Sequence, residues 1–214
     1  MKILIAGATG FIGKELIKKL DEKGHEIVVL TRNSETARFH IPIHCEIQQW
    51  DPENNPLSTN SLKDIDAVIN LSGENIASSF WTDTQKRKLM DSRIMSVRRI
   101  VQAMEVMNTK PSVFISASAV GFYGNRKNEE LQETSSAGEG FLSKVCQSWE
   151  NEITESKKLG IRTVIFRLGM VLGHDGGALE KIMPAFKIGL GGKLGDGSQW
   201  MSWIHINDFV DMIV

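Results

Sequence analysis

Cysteine is nearly absent from this chain, with Cys45 and Cys146 the only two among 214 residues. Two isolated thiols supply no disulfide framework, so the core must hold the fold, and a reducing compartment suits such a chain. Charge of one sign is equally scarce. Lysine plus arginine number 25 against 26 aspartate plus glutamate, a net charge of −1, which excludes a generally basic nucleic-acid binder. Long apolar runs are missing too. The longest uncharged stretch, 111–125, contains three serines and two glycines and falls short of the ~20 residues that cross a bilayer. The start, Lys2 followed by eleven uncharged residues to Gly13, has the outline of a secretion signal, but its spaced glycines point to a nucleotide loop instead. These absences predict a cytoplasmic protein with no membrane or nucleic-acid partner. Tyrosine is the last scarcity: Tyr123 stands alone, which bears on any chemistry that needs a phenol.

What is present is the composition of a folded domain, 41% hydrophobic with 19 glycines. Short β-branched and apolar runs at 2–6, 26–30, 44–48, 67–70, 112–116 and 162–166 alternate with stretches of helical spacing. Ile12, Leu16, Ile17 and Leu20 form one such stripe, and Leu89, Ile94, Val97, Val101 and Met104 another. A third helix is predicted over 138–158. Strands this short and apolar are those of a parallel sheet buried on both faces, so the fold class is α/β, a doubly wound Rossmann sheet with right-handed crossovers. Beyond residue 173 the chain turns glycine-rich, with a helix predicted at 178–188, a strand-like run at 201–206 and Asn207-Asp208 as a helix cap. We divide it into a nucleotide-binding domain, 1–173, and the start of a smaller substrate portion, 174–214. The helical pattern opening at Asp208 meets no stop signal before Val214, which predicts that the natural polypeptide continues and that this portion is cut short.

The first strand leads into Gly7-Ala8-Thr9-Gly10-Phe11-Ile12-Gly13 and then a helix. In such a turn the first glycine allows the tight bend, Gly10 lets the backbone approach a pyrophosphate, and Gly13 permits close helix–strand packing. The helix N-terminus faces the phosphates. All seven residues are candidate cofactor ligands. The second strand ends at Thr31-Arg32-Asn33, where an NAD site carries an acidic residue for the ribose 2′-hydroxyl. Arg32 instead suits a 2′-phosphate. NADP is therefore the expected cofactor, ahead of NAD.

With those residues in hand the chain resembles the extended short-chain dehydrogenase/reductases, and within them the epimerase-like proteins labelled nucleoside-diphosphate-sugar epimerase, whose substrates are mostly unassigned. Beyond the glycine loop the likeness rests on Asn70-Leu71-Ser72-Gly73-Glu74-Asn75-Ile76, Asp91-Ser92-Arg93 and Ser116-Ala117-Ser118-Ala119-Val120-Gly121-Phe122-Tyr123-Gly124. It extends to Trp149-Glu150, Arg167-Leu168-Gly169-Met170-Val171-Leu172-Gly173, Gly176-Gly177-Ala178-Leu179 and Ser202-Trp203-Ile204-His205-Ile206. The resemblance implies that Leu71, Ser72 and Gly73 lie against the cofactor. It implies that Arg93 reaches its phosphates, that Ser116 sits beside the nicotinamide, and that Ser118 is the superfamily's catalytic serine.

The superfamily's Tyr-x-x-x-Lys pair is not found in its expected helix, which reads Gly140-Phe141-Leu142-Ser143-Lys144-Val145-Cys146. In one register Phe141 and Val145 replace the pair, leaving Val145 against the cofactor. In the other Lys144 is kept and Gly140 replaces the tyrosine. Tyr123 and Lys127 satisfy the motif by letter, but Gly124 and Asn125 make a loop of that segment. The catalytic candidates are thus Ser118, Tyr123 as first choice for the proton shuttle, and Lys144 as second. Trp200 and Trp203 are candidates for covering the substrate. His40, His44 and Cys45 lie around Pro42, which spoils helical ligand spacing, and no metal site is assigned. The predicted function is an NADP(H)-binding, epimerase-like oxidoreductase for a small polar substrate such as a sugar nucleotide. The competing reading is a catalytically silent, NADP(H)-bound sensor or interaction protein. The sequence leaves a homodimer open.

Overall fold

The apolar strands stack in parallel because each presents hydrophobic side chains to both faces. In the computed structural model, which describes residues 1–174, 176–193 and 195–214, the main sheet comprises β1 (Lys2–Ala6), β2 (Glu26–Thr31), β3 (Glu46–Gln49), β4 (Ala67–Asn70), β5 (Val113–Ala119) and β6 (Arg162–Leu168). Their order is β3-β2-β1-β4-β5-β6, every pairing parallel. Helices α1 (Phe11–Glu22), α2 (Ser34–His40), α3 (Asp83–Glu105) and α4 (Phe141–Glu155) make the crossovers.

Strand periodicity divides the core in two. Leu4, Val28, Val68 and Phe114 face α3 and α4, meeting Val97, Ile100, Met104, Trp149 and Ile153. Ile3, Ile5, Ile27, Val29 and Ile69 face the opposite way, onto Leu16, Ile17 and Leu20 of α1. The same second core takes in Ile206 and Val210 of α6 (Ile206–Ile213), and Lys19 pairs with Asp211 at 3.0 Å. A two-stranded parallel sheet joins β7 (Met170–Leu172) to β8 (Trp203–His205), with α5 (Gly177–Lys187) between them in sequence. Residues near the end of the chain are therefore tied back to the first sheet. Among the described residues no helix is long and apolar enough to cross a membrane.

Strand and helix ends shift by up to three residues, β3 to Glu46–Gln49 and the helix predicted over 138–158 to Phe141–Glu155, and two other local details differ from the sequence expectation. The cap of α6 is His205, whose Nδ1 accepts from the Asn207 amide at 3.3 Å, two residues earlier than the predicted Asn207-Asp208. Helix α2 was not expected. Asn33 creates it by accepting from the Thr36 amide at 2.9 Å, and it ends at His40, ahead of Pro42.

Candidate functional site

Strand order reverses on either side of β1, so the loops leaving the carboxyl ends of β1 and β4 diverge and open a crevice. A groove of about 580 Å³ lies there. Gly7, Thr9 and Gly10 line it from the first loop, Thr31, Arg32 and Asn33 from the end of β2, and Leu71, Ser72 and Gly73 from the end of β4. Nine of the predicted cofactor ligands thus converge on one space.

The glycines reach that space for different reasons. Gly7 has φ +88°, and a Cβ on it would stand 2.6 Å from the Leu71 carbonyl carbon. A Cβ on Gly13 would stand 2.4 Å from the Gly7 oxygen. Both glycines are demanded by backbone packing. A Cβ on Gly10 would meet only the Gly7 oxygen, at 3.3 Å. Gly10 also caps α1 without any side-chain bond, so among the described residues no side chain is seen to bond the first-turn amides. This combination fits a phosphate-bearing ligand.

At the far end of the groove Thr31 and Asn33 are committed to local bonds, Thr31 Oγ1 accepting from the Asn33 amide at 3.3 Å. Arg32 is exposed and has no ion-pair partner among the described residues. Thr36, His40, Trp50 and Glu53 complete that end. These four were not found from sequence. They follow β2 and β3, and only the register of those strands brings them beside Arg32.

Other predicted ligands lie outside the groove. Ala8 and Val145 are buried, and Phe11 packs its ring under Gly173, Gly176 and Gly177. Ile12 and Gly13 belong to the first turn of α1 behind the loop. Arg93 donates to the backbone oxygens of Leu89 at 2.8 Å and Glu74 at 2.9 Å, and lies 5.3 Å from the centre of the Trp149 ring. Its guanidinium clamps the β4 loop onto α3 instead of pointing into the groove, and burial lowers its pKa. Ser116 sits behind the groove, fully buried, accepting from Asn70 Nδ2 at 3.3 Å. Asn70 Oδ1 accepts from Ser72 Oγ at 2.5 Å and Ser96 Oγ at 3.1 Å. That network fixes where β4 ends, and with it the positions of Ser72 and Gly73.

The catalytic candidates separate into a connected pair and an outlier. The Ser118 hydroxyl donates to Glu150 Oε1 at 2.6 Å. Arg167 grips the same carboxylate with Nε at 2.9 Å and Nη2 at 2.8 Å. Arg167 Nη1 donates to the Tyr123 oxygen at 2.8 Å and to the Glu133 backbone oxygen at 3.0 Å. Tyr123 closes a single 3-10 turn, Val120–Tyr123, so it shares no helical face with Lys127. Lys144 is exposed on α4, where Ser143, Val145 and Cys146 face inward, and its side chain makes no hydrogen bond or ion pair among the described residues. Glu150 and Arg167 entered the sequence reading only as parts of the resemblance. Their signal was available: Glu150 follows Cys146 by one helical turn on the buried stripe of α4, and Arg167 interrupts an apolar strand. Opposite charges at two core positions imply a pair.

Cys146 is buried next to Ser118. Burial, followed by the nearby Glu150 charge, pushes its thiol up, against lowering contributions from the Ala119 backbone and Arg93. Burial raises Cys45 as well. Stability from keeping these thiols protonated is then present below the ordinary thiol range, about 8.5, and is lost as pH rises through the folded values. At neutral pH native Cys146 should react with a disulfide reagent far more slowly than in urea, and equal rates would contradict its burial. Among the described residues no group of three or more histidine, cysteine or acidic side chains gathers to hold a metal ion.

Residues 3–214 match the family model of the NAD-dependent epimerase/dehydratase family. An epimerase family protein of Mycobacterium bovis is 38% identical over 208 residues, 97% of this chain and 66% of that protein. The chain thus spans just under two thirds of that relative's length. Among solved structures, human epimerase family protein SDR39U1 (isoform 2), crystallised with NADPH, superposes with a TM-score of 0.83 at 30% identity, covering 100% of this chain and 68% of that one. A nucleoside-diphosphate sugar epimerase from Corynebacterium glutamicum gives 0.83 at 33% identity, covering 100% of this chain and 42% of that one. A parallel sheet in this order, a glycine turn at its switch point and a family match across almost every residue lead to one conclusion: the chain belongs to the NAD-dependent epimerase/dehydratase family.

Proposed function

We propose that the protein binds NADP(H) and acts as an epimerase-like oxidoreductase on a small polar substrate, with a sugar nucleotide as the favoured class. The observation that carries this reading is the open turn at Gly10, continuous with a groove that ends at Arg32, which has no ion-pair partner among the described residues. The Gly10 backbone and the first-turn amides of α1 would hold the pyrophosphate. Arg32 would pair with a 2′-phosphate, helped by the Asn33 and Thr36 side of the groove. When bound, the cofactor supplies hydride chemistry. The protein's own part at the reacting end is to hold a substrate oxygen against Ser118 and Tyr123 and keep it there. The human structure with NADPH supports this choice of cofactor.

Residues 174–214 would begin the substrate side. Trp200 supports that assignment, since its Nε1 donates to Asn128 Oδ1 at 2.9 Å and so brings this segment to the loop between β5 and α4. We further place the protein in a reducing compartment, in keeping with its two free cysteines.

Arg32→Ala tests the cofactor assignment. Charge-assisted hydrogen bonds contribute about 1.5–3 kcal/mol, so NADPH affinity should fall by about 10- to 100-fold. NADH affinity should stay close to that of the parent. Equal losses for both cofactors would remove Arg32 from the 2′-phosphate site, and no binding of either would remove the cofactor reading itself. A screen for substrate-dependent NADPH oxidation, with Ser118→Ala as control, then addresses turnover.

A further inference from the structure

Ser118 and Tyr123 each have one hydrogen-bonding direction already taken, by neighbours of opposite charge. Ser118 Oγ donates to the Glu150 carboxylate at 2.6 Å. The Tyr123 oxygen accepts from Arg167 Nη1 at 2.8 Å. A carboxylate only accepts, a guanidinium only donates, and a hydroxyl has a single proton. The Ser118 proton is therefore committed inward, so its oxygen can only accept from any further partner. The Tyr123 oxygen is engaged by Arg167, which leaves its proton for a ligand. Neither arrangement is free to reverse. Arg167 holds both Glu150 oxygens, and its guanidinium lies 3.6 Å from the Phe122 ring centre and 5.0 Å from that of Tyr123. The side chains of the pair retain only 19% and 9% of their exposure. Cys146 also borders Ser118, within hydrogen-bonding reach of its hydroxyl, and burial raises the thiol pKa.

We infer that Glu150 and Arg167 are positioning residues that fix the hydrogen-bond sense of the reacting end, with Ser118 an acceptor and Tyr123 a donor. This rests on the reading of the site given above and deepens it by giving each of the two hydroxyls a single sense, set by the ion pair behind it.

The solitary tyrosine makes the test clean. Protein labelled with ¹³C at the tyrosine ring Cζ gives one resonance, from Tyr123. Arg167→Gln and Glu150→Gln should both displace it in the ligand-free protein. Ser118→Ala, which leaves the ion pair standing, should not. In parallel, proton spectra should contain a downfield, slowly exchanging hydroxyl signal that Ser118→Ala abolishes and Glu150→Gln moves or broadens away. Glu150→Asp keeps an acceptor and should retain that signal, which guards against a folding defect in the glutamine variant. NADPH serves as the probe of the wider reading, and its dissociation constant should be unchanged in Glu150→Gln. A Tyr123 resonance indifferent to both glutamine variants, or a parent protein lacking the Ser118 hydroxyl signal, overturns the inference even when NADPH binds. Loss of NADPH binding by the parent protein overturns the cofactor reading while these resonances still report on the hydrogen-bond sense.

Discussion

Gly7→Ala is expected to leave little folded protein at room temperature, while Gly10→Ala folds like the parent and binds NADPH roughly tenfold more weakly, a cost of about 1.4 kcal/mol. The two glycines are three residues apart in one turn, and they differ in surroundings and in backbone conformation. At Gly7 the added Cβ meets backbone atoms of the neighbouring loop, the Leu71 carbonyl carbon at 2.6 Å and oxygen at 2.8 Å and the Ser72 amide nitrogen at 2.8 Å. Backbone cannot rotate away as a side chain does, so β1 and β4 must part. The left-handed φ of +88° adds strain of about 1–3 kcal/mol on its own. Together these exceed about 4 kcal/mol, a large share of the 5–15 kcal/mol that holds a domain together. Gly10 has φ −76°, open to any residue, and its Cβ would point into the groove beside a single oxygen at 3.3 Å. Its stability should change by less than about 1 kcal/mol, in either direction, since alanine also restricts the unfolded chain. Thermal melts and NADPH titration of the two variants decide the matter. Undiminished NADPH affinity in Gly10→Ala would mean that the turn does not receive the diphosphate.

Arg167→Ala should lower stability by about 2–4 kcal/mol, somewhat below the 3–5 kcal/mol for breaking a fully buried pair because the arginine side chain keeps 19% of its exposure. At 2–4 °C per kcal/mol for a chain of this size, the melting temperature should fall by roughly 4–16 °C. The cause is less the lost attraction than the orphaned Glu150 carboxylate, left with Ser118 as its one side-chain donor. Adding Glu150→Gln to Arg167→Ala should therefore restore part of the loss. A double-mutant cycle should give a coupling above roughly 1 kcal/mol. Strictly additive effects would show that the two charges are solvated independently and that the pair holds nothing in place.

Much of the fold was legible because its signals are local. Alternating apolar runs and helical stripes need no distant partner to be recognised, and β1 and β4 begin and end where the sequence predicted. The glycine turn was legible for the same reason, although two of its three glycines also answer to packing against the loop after β4 and the turn itself, which no spacing rule reveals. Arg32 could be singled out because the end of the second strand is a position defined by the chain alone. Arg93 could not be placed that way. A long side chain on α3 reaches either the groove or the backbone of the β4 loop, and the choice falls to whichever carbonyls lie near, here those of Leu89 and Glu74.

By itself the sequence determined the α/β class, the nucleotide turn, the missing tyrosine–lysine pair and the cationic residue at the end of β2, since each depends on residues close together along the chain. Tertiary structure alone decided that Thr36, His40, Trp50 and Glu53 share one end of the groove, that Lys144 stands apart from Ser118, and that Ser118, Glu150, Arg167 and Tyr123 form one buried chain of hydrogen bonds. Those groupings join residues tens of positions apart. Strand register and helix rotation set them, and both are fixed only when the two faces of the sheet close on their cores.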